Sequence, residues 1–516
     1  MDITKIEINE QFAKALEIIE QGSKHLFVTG KAGTGKSTLL QYFRETTKRQ
    51  IVVLAPTGVA AVNIGGQTIH SFFGFKPDIT IEKAQRNARK IAKLKKAEIY
   101  CKLETLVIDE ISMVRADLFD CVDAFMRIVR GSKRVPFGGA NLVMIGDLYQ
   151  LPPVVTSHEN RIFQEHYKSP FFFDSHVYSG MDTQILELEK IYRQSDKRFI
   201  EILNAIRNNT VQVADIEALN KHYDANPKPE HGSIYLTSLN KNAAELNDKK
   251  LSELKGRTHH FNAEVFGQFD EKSFPANPRL RLKVGAQVML LNNDSRGRWI
   301  NGTIGEVVGM NDEFVDVKLA DGTTEEVEFH TWEMFRFELD AKKKTIVSQP
   351  VGSFMQLPLM LAWAITIHKS QGKTFDRAVI DFDRVFACGQ AYVALSRLRS
   401  LEGLVIKNKL KKNHVRVDWR VVKFLTGHHY DLSEKRMPLD RKIEVIEQAI
   451  ENRSHLAITY LKSNDVMSKR VIMPLEVGEM EYSGKPFIGV LGTCKLRSQE
   501  RVFRVDRILE MAVVEG

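Results

Sequence analysis

HLFVTGKAGTGKSTLLQYFRE, residues His25–Glu45, decides the fold. HLFVTG reads as a short buried strand, and STLLQYFRE carries the apolar spacing of a helix. Between them Gly30–Ser37, GKAGTGKS, is a full G-x-x-x-x-G-K-[ST] pattern in the strand-then-helix setting of a phosphate loop. The glycines let backbone N–H groups turn inward around an anion, and the helix N-terminus adds partial positive charge. Gly33, Thr34, Gly35, Lys36, Ser37 and Thr38 are therefore expected to cradle a nucleotide. Lys36 would reach the β- and γ-phosphates, and the Ser37 hydroxyl would ligate Mg²⁺.

Outward from this loop, IVVLAP, TLVIDE, NLVMIG and QILEL alternate with helical stretches. Such alternation predicts a parallel sheet with helices on both faces, an α/β fold. Asp109 and Glu110 end an apolar strand, where a carboxylate points into the ligand crevice. Asp109 fits a Mg²⁺ ligand, and Glu110 fits the general base that activates water. Paired with Lys36, they imply a nucleoside triphosphatase. No guanine-reading N-K-x-D occurs, so ATP is the expected nucleotide. In GDLYQLPP (Gly146–Pro153) Asp147 and Gln150 follow the next strand, and Gln150 could sense the γ-phosphate. Arg193 and Arg397 each follow an apolar segment, and as arginine fingers they would neutralise charge developing in transfer.

The chain has 516 residues, 43% hydrophobic and 27% charged, which excludes a disordered or fibrous chain. No apolar run approaches a membrane span, and the N-terminus has no secretory h-region, so a soluble cytoplasmic protein is expected. The net charge of +9 leans towards a polyanionic partner. Four cysteines lack zinc-ligand spacing and read as reduced core residues. Lys83–Lys96 (KAQRNARKIAKLKK) is a basic helix, either a solvated face or a nucleic-acid contact. SIYLTS and AQVMLL continue the α/β alternation. Asn301–Ser353 then changes to strands joined by tight turns, with a hairpin signal at Ala320–Gly322.

The set as a whole resembles the PIF/RecD-like branch of superfamily-1 helicases, across about Ile8–Lys409. The resemblance is carried by INEQ (Ile8–Gln11), GKAGTGKST (Gly30–Thr38), APTGVAAVNIGGQTIHSFF (Ala55–Phe73), LVIDEISMV (Leu106–Val114) and PFGGANLVMIGDLYQLPPV (Pro136–Val154). KIYRQSD (Lys190–Asp196), WAITIHKSQGKTFD (Trp363–Asp376) and GQAYVALSRLRS (Gly389–Ser400) complete it. It implies two RecA-like P-loop domains, 1–185 and 186–410, with ATP and Mg²⁺ between them and single-stranded DNA across both. It also implies a wedge insert near 72–84 and a Src-homology-3-like insert at 301–353.

By the same resemblance, Gln11 reads adenine, Tyr192 lies near the base, and Arg193 and Arg397 meet the γ-phosphate. Thr57, Gly58, His70, Ser71, Thr366, His368 and Lys369 lie in motifs that touch the strand. Family members move 5′→3′ and unwind tailed duplex or G-quadruplex DNA, with roles in replication, repair, recombination and telomere maintenance. A monomer in the absence of DNA is expected. A translocase or ATP-gated binding protein with weak unwinding is the alternative.

After a linker at 411–440, residues 441–516 resemble a WYL domain, although Phe487-Ile488-Gly489 stands where the naming tripeptide would be. Arg470, Arg497, Arg501, Arg504 and Arg507 cluster by strand spacing near Tyr460 and Phe503. Arg497 and Arg501 are the candidates for single-strand contact. A solvated basic face or a nucleotide-like effector site remains open.

Overall fold

The computed structural model describes residues 7–155, 157–227, 232–340, 342–383, 387–461, 467–482, 484–495 and 499–514. The chain forms two compact units, Met1–Leu203 with Gln212–Arg416, and Asn204–Val211 with Val417–Gly516.

The larger unit is built on two parallel sheets. The first has six strands in the order Gln67–Thr68, Ile51–Ala55, Thr105–Ile108, Asn141–Ile145, His25–Gly30 and Thr183–Leu188. Its inner strands are Val-, Leu- and Ile-rich and buried nearly throughout, as a sheet covered on both faces requires. Register pairs Val28 with Ile145 and Leu54 with Ile108. The loops carrying Lys36, Thr57, Glu110 and Gln150 therefore leave one edge of the sheet. The second sheet orders Ala364–Thr366, Ile234–Thr237, Ala378–Ile380 and Leu404–Ile406, again parallel.

The β insert is wider than 301–353. Its five-stranded antiparallel sheet orders Thr324–Glu328, Phe314–Leu319, Ile304–Met310, Gln287–Leu290 and Leu359–Leu361. AQVMLL thus belongs to this sheet and not to the α/β alternation, because its antiparallel partners lie on both sides of it. Fifteen buried residues, among them Val288, Val307, Val317 and Trp299, form its core. Gly322 turns the expected hairpin at a φ of 89°.

A second hairpin, His330–Leu339 with Ile346–Gln356, lies on the first lobe. There the Phe337 N–H donates to Gln67 Oε1 (3.2 Å) and the Ile346 N–H to Gln50 Oε1 (2.6 Å).

The segment read as a wedge insert at 72–84 begins with a buried aromatic run and continues through the exposed residues Lys76, Pro77 and Asp78. Phe72, Phe73 and Phe75 are buried against Tyr100 and Phe125, with ring centroids 4.9–5.9 Å apart. An aromatic run this apolar is more stable inside than in water.

The smaller unit is a five-stranded antiparallel sheet ordered Gln499–Arg504, Lys485–Cys494, Met467–Tyr482, His455–Leu461 and Ile508–Val514. Ile446 and Ala449 of helix Leu439–Glu451 pack on Leu456, Ile458, Ile472 and Val490. The segment 411–440 is not a bare linker. Trp419–Arg436 is a helix capped by Asp418, and its Ser433 hydroxyl donates to the Ile508 and Leu509 carbonyls.

Candidate nucleotide and nucleic-acid site

The phosphate loop is shaped by its glycines. Gly33 and Gly35 hold φ at 81° and 86°, the left-handed region that disfavours other residues. A Cβ on Gly33 would stand 2.5 Å from that of Arg193. Lys36 donates to the Gly30 and Lys31 carbonyls at 2.8 and 3.0 Å. The ammonium thus folds back across its own loop, onto the carbonyls at the loop's start. Thr34 is buried with its hydroxyl on Lys31 O, while Ser37 is exposed on the first helical turn. Thr38 is half-buried one residue further along the same helix.

Asp109 and Glu110 stand side by side at the sheet edge. Burial pushes both carboxyls up, Asp109 to about 6 and Glu110 to about 7, with Asp109 adding repulsion at Glu110 and Lys36 opposing both shifts. Glu110 also holds φ at 50°, a conformation costly for a side chain with a Cβ and frequent at functional sites. Its Oε2 accepts from Gln371 Nε2 at 3.2 Å, and the same amide donates to Gln150 Oε1 at 3.2 Å. Gln150 is held in turn by Asp147 (3.1 Å). Sequence reasoning missed Gln371, although it lies inside TIHKSQG, because only the tertiary fold carries that loop across to the first lobe.

Both predicted arginines arrive at this place. Arg193 donates to Ser396 O (3.2 Å) and Gly372 O (3.3 Å), and burial lowers its pKa. Arg397 is 1% exposed, and its guanidinium donates to Val393 O (2.9 Å), Lys373 O (3.3 Å) and Ser396 Oγ (2.9 Å). Burial, with Arg193 next, lowers its pKa to about 9, while Tyr392, Glu110 and Asp147 pull the other way. Gln194 joins Ser396 O from the same segment (3.1 Å).

Near the N-terminus, Asn9 caps helix Glu10–Gln21 and donates to the Tyr192 hydroxyl (3.1 Å). Gln11 Oε1 accepts from the Glu189 N–H (2.9 Å), and the Tyr192 ring stays exposed.

The candidate strand contacts lie on both lobes at related positions. Thr57 and Thr366 follow or end a parallel strand, and each hydroxyl accepts at 3.3 Å from the N–H three residues on. Gly58 approaches the turn Glu271–Ser273 so closely that a Cβ would lie 1.9 Å from Ser273 Oγ. Ser71 N–H donates to Thr68 Oγ1, and its hydroxyl accepts from Gln67. Burial lowers His70 and His368, so both imidazoles are neutral at pH 7 and suit hydrogen bonding rather than charge. His368 keeps one side in solvent while its packed side is desolvated, and Lys369 is exposed.

In the smaller unit Arg501 is exposed on its edge strand opposite Gly492, and Arg470 is half-buried opposite Ile458. Arg504 is paired with Asp506 and lies 5.1 Å from the Phe487 ring centroid. Arg497 lies outside the described residues.

A PIF1-like helicase family model matches residues 7–216, the model of the Pif1 2B domain matches 271–310, and a WYL domain model matches 441–513. An ATP-dependent DNA helicase Pif1 of Bdellovibrio bacteriovorus is 34% identical over 78% of this chain and 88% of its own length. The chain belongs to the PIF1-like helicase family.

The human ATP-dependent DNA helicase PIF1 is 38% identical over 82% of this chain, which spans 64% of the human protein's length. A Bacteroides sp Pif1 structure in complex with ADP-AlF4 is 37% identical, with a TM-score of 0.76 over 82% of this chain and 97% of that one. Bacteroides Pif1 bound to ssDNA has a TM-score of 0.57 at the same identity, over 81% of this chain and 96% of that one. Among the described residues no helix is long and apolar enough to cross a membrane.

Proposed function

We propose that this PIF1-like chain is an ATP-dependent 5′→3′ DNA helicase that moves on single-stranded DNA and opens tailed duplex or G-quadruplex DNA. The observation that carries the reading is Gln371, which reaches from the second lobe to Glu110 and Gln150 of the first. Around it lie the phosphate loop and both arginines. In our assignment the ATP-binding lobes are 1–185 and 186–410, and the protein is monomeric without DNA.

ATP would draw Lys36 off the Gly30 and Lys31 carbonyls and onto its β- and γ-phosphates. Gln11 and Tyr192 would hold the adenine. Glu110 takes a proton from the attacking water, and Gln150 and Gln371 keep its carboxylate in place. Arg193 and Arg397 exchange backbone carbonyls for phosphate oxygens as charge develops. Ser37 and Asp109 suit Mg²⁺: one is an exposed hydroxyl beside the phosphate site, the other a buried hard-oxygen carboxylate whose charged form burial disfavours. When bound, Mg²⁺ neutralises phosphate charge.

Thr57, Gly58, His70 and Ser71 on one lobe, with Thr366, His368 and Lys369 on the other, hold the strand without reading its sequence. Nucleotide-driven closure would shorten the distance between these two sets of contacts.

Two assays test the reading. ATP hydrolysis should rise with single-stranded DNA. Strand separation should occur on a duplex with a 5′ tail and not on one with a 3′ tail. A 3′ preference would overturn the polarity, and hydrolysis indifferent to DNA would overturn the motor.

A further inference from the structure

One strongly charged surface has no role in this cycle. Residues 81–102 carry eight Lys and Arg against two Glu, a surplus of six in a chain whose net charge is +9. Helix Ile81–Ile91 buries Ala84 and Ala88, small residues that let it lie close on helix Ala116–Val129. Its opposite side presents Arg86, Arg89 and Lys90, and Lys93 follows just beyond it, all exposed. At three- and four-residue spacing these form one stripe about 10 Å long. Lys83 is paired with Asp78, but among the described residues these four, Lys95 and Lys96 have no carboxylate partner.

A second element brings more charge of the same sign. The tip of hairpin His330–Leu339/Ile346–Gln356 carries Lys342, Lys343 and Lys344. Lys102, at the end of the basic stretch, donates its ammonium to the Lys344 carbonyl at 3.1 Å. Together with the Gln50 and Gln67 bonds, this holds the tip against the first lobe. Gathering so many unpaired cations is unfavourable for the isolated protein and favourable on a polyanion.

We propose that this face holds the duplex part of a tailed DNA substrate through its phosphates. The inference rests on the reading that DNA is the partner. Sites for single strands stack bases on exposed aromatic rings. Here every aromatic side chain of the segment (Phe72, Phe73, Phe75 and Tyr100) is buried, and the one exposed large apolar residue of residues 72–102 is Leu94. Cations without rings suit a partner whose bases are already stacked inside a double helix. The stripe spans about three phosphates of one strand at roughly 3.4 Å of axis each.

The test combines Arg86→Gln, Arg89→Gln, Lys90→Gln and Lys93→Gln, all exposed helix-compatible changes. A second variant carries Lys342→Gln and Lys343→Gln. Binding to a blunt duplex and to a single-stranded oligonucleotide is measured at several salt concentrations, with ATP hydrolysis on the single strand followed alongside. Blunt-duplex affinity should fall at least tenfold in the first variant. Its log-log salt slope should shallow by about 0.9 per lost phosphate contact, near three in all. Single-strand affinity and hydrolysis should hold, and the second variant should lose part of the duplex affinity.

Equal weakening on both nucleic acids, unchanged duplex binding, or no blunt-duplex binding by the unaltered protein would each overturn the proposal. Failure of the helicase reading would show separately, as hydrolysis by the unaltered protein that does not respond to single strands.

Discussion

Glu110→Gln separates the chemistry of the site from its architecture. The glutamine oxygen can still accept from Gln371, and the backbone at φ 50° is no worse for Gln than for Glu, so the loop keeps its shape. What is lost is a proton acceptor. Removing a positioned general base costs on the order of 10²–10⁴ in rate, about 3–5 kcal/mol of barrier. ATP binding should persist or tighten, because one carboxylate beside Asp109 no longer repels the triphosphate.

The pH dependence supplies a second signature. Glu110 acts as a base only when ionised, and its raised pKa, to about 7, places the acid limb of kcat/KM near neutrality. The unaltered protein should be about tenfold less efficient at pH 6 than at pH 8, and the variant should lose that limb.

Stability should move the opposite way to activity. From the ordinary value of 4.5 up to about 7, folded Glu110 keeps a proton that the unfolded chain has released. Stability is therefore lost as pH rises through that window. Glu110→Gln should melt higher than the unaltered protein at pH 8, and the gap should close towards pH 4.5. ATP titration, steady-state hydrolysis and thermal unfolding at several pH values measure all three effects. Turnover at the unaltered rate, or a lower melting temperature at pH 8, would refute the assignment of Glu110 as a buried base.

Lys36→Ala should abolish hydrolysis while leaving the melting temperature within a few degrees, since its bonds to Gly30 and Lys31 carbonyls are local; ATP turnover and thermal unfolding check it. Arg397→Lys should lower kcat by about 10²–10³ with a much smaller change in ATP affinity, because a compact ammonium cannot reproduce the guanidinium fork. Gln371→Ala should lower kcat in single-turnover hydrolysis without weakening binding of a single-stranded oligonucleotide, as its contacts are to Glu110 and Gln150. Deleting 417–516 should reduce solubility, measured by sedimentation, because Asn204–Val211 belongs to the same compact unit and would lose its packing. Charge reversal at Arg501 alone tests the C-terminal module: a single-strand contact there should shallow the log-log salt slope by about 0.7.

The nucleotide loop was legible because its information is local. Gly30–Ser37 sits between its own strand and helix, and the left-handed glycines follow from the pattern. The β insert was only partly legible. Gln287–Leu290 looks like any buried strand, and its pairing with Ile304–Met310 and Leu359–Leu361 depends on segments far along the chain. Helix Trp419–Arg436 has a weak apolar face and few buried residues, Val421, Leu425 and Ser433, so little periodicity marks it against the basic stretch before it. Gln371 was invisible for a different reason. Polar residues declare a role through what they meet, and Gln371 meets residues more than 200 positions away.

The carbonyl of Ser396 accepts from Arg193 and from Gln194, while the Ser396 hydroxyl accepts from Arg397. Two guanidiniums and one amide are thus satisfied in part by the oxygens of a single residue. An arginine that trades one oxygen for another gains little from a ground-state phosphate and more from one whose charge is building. In the cycle proposed above, Ser396 is therefore an internal competitor for both arginines, whose oxygens a phosphate has to displace.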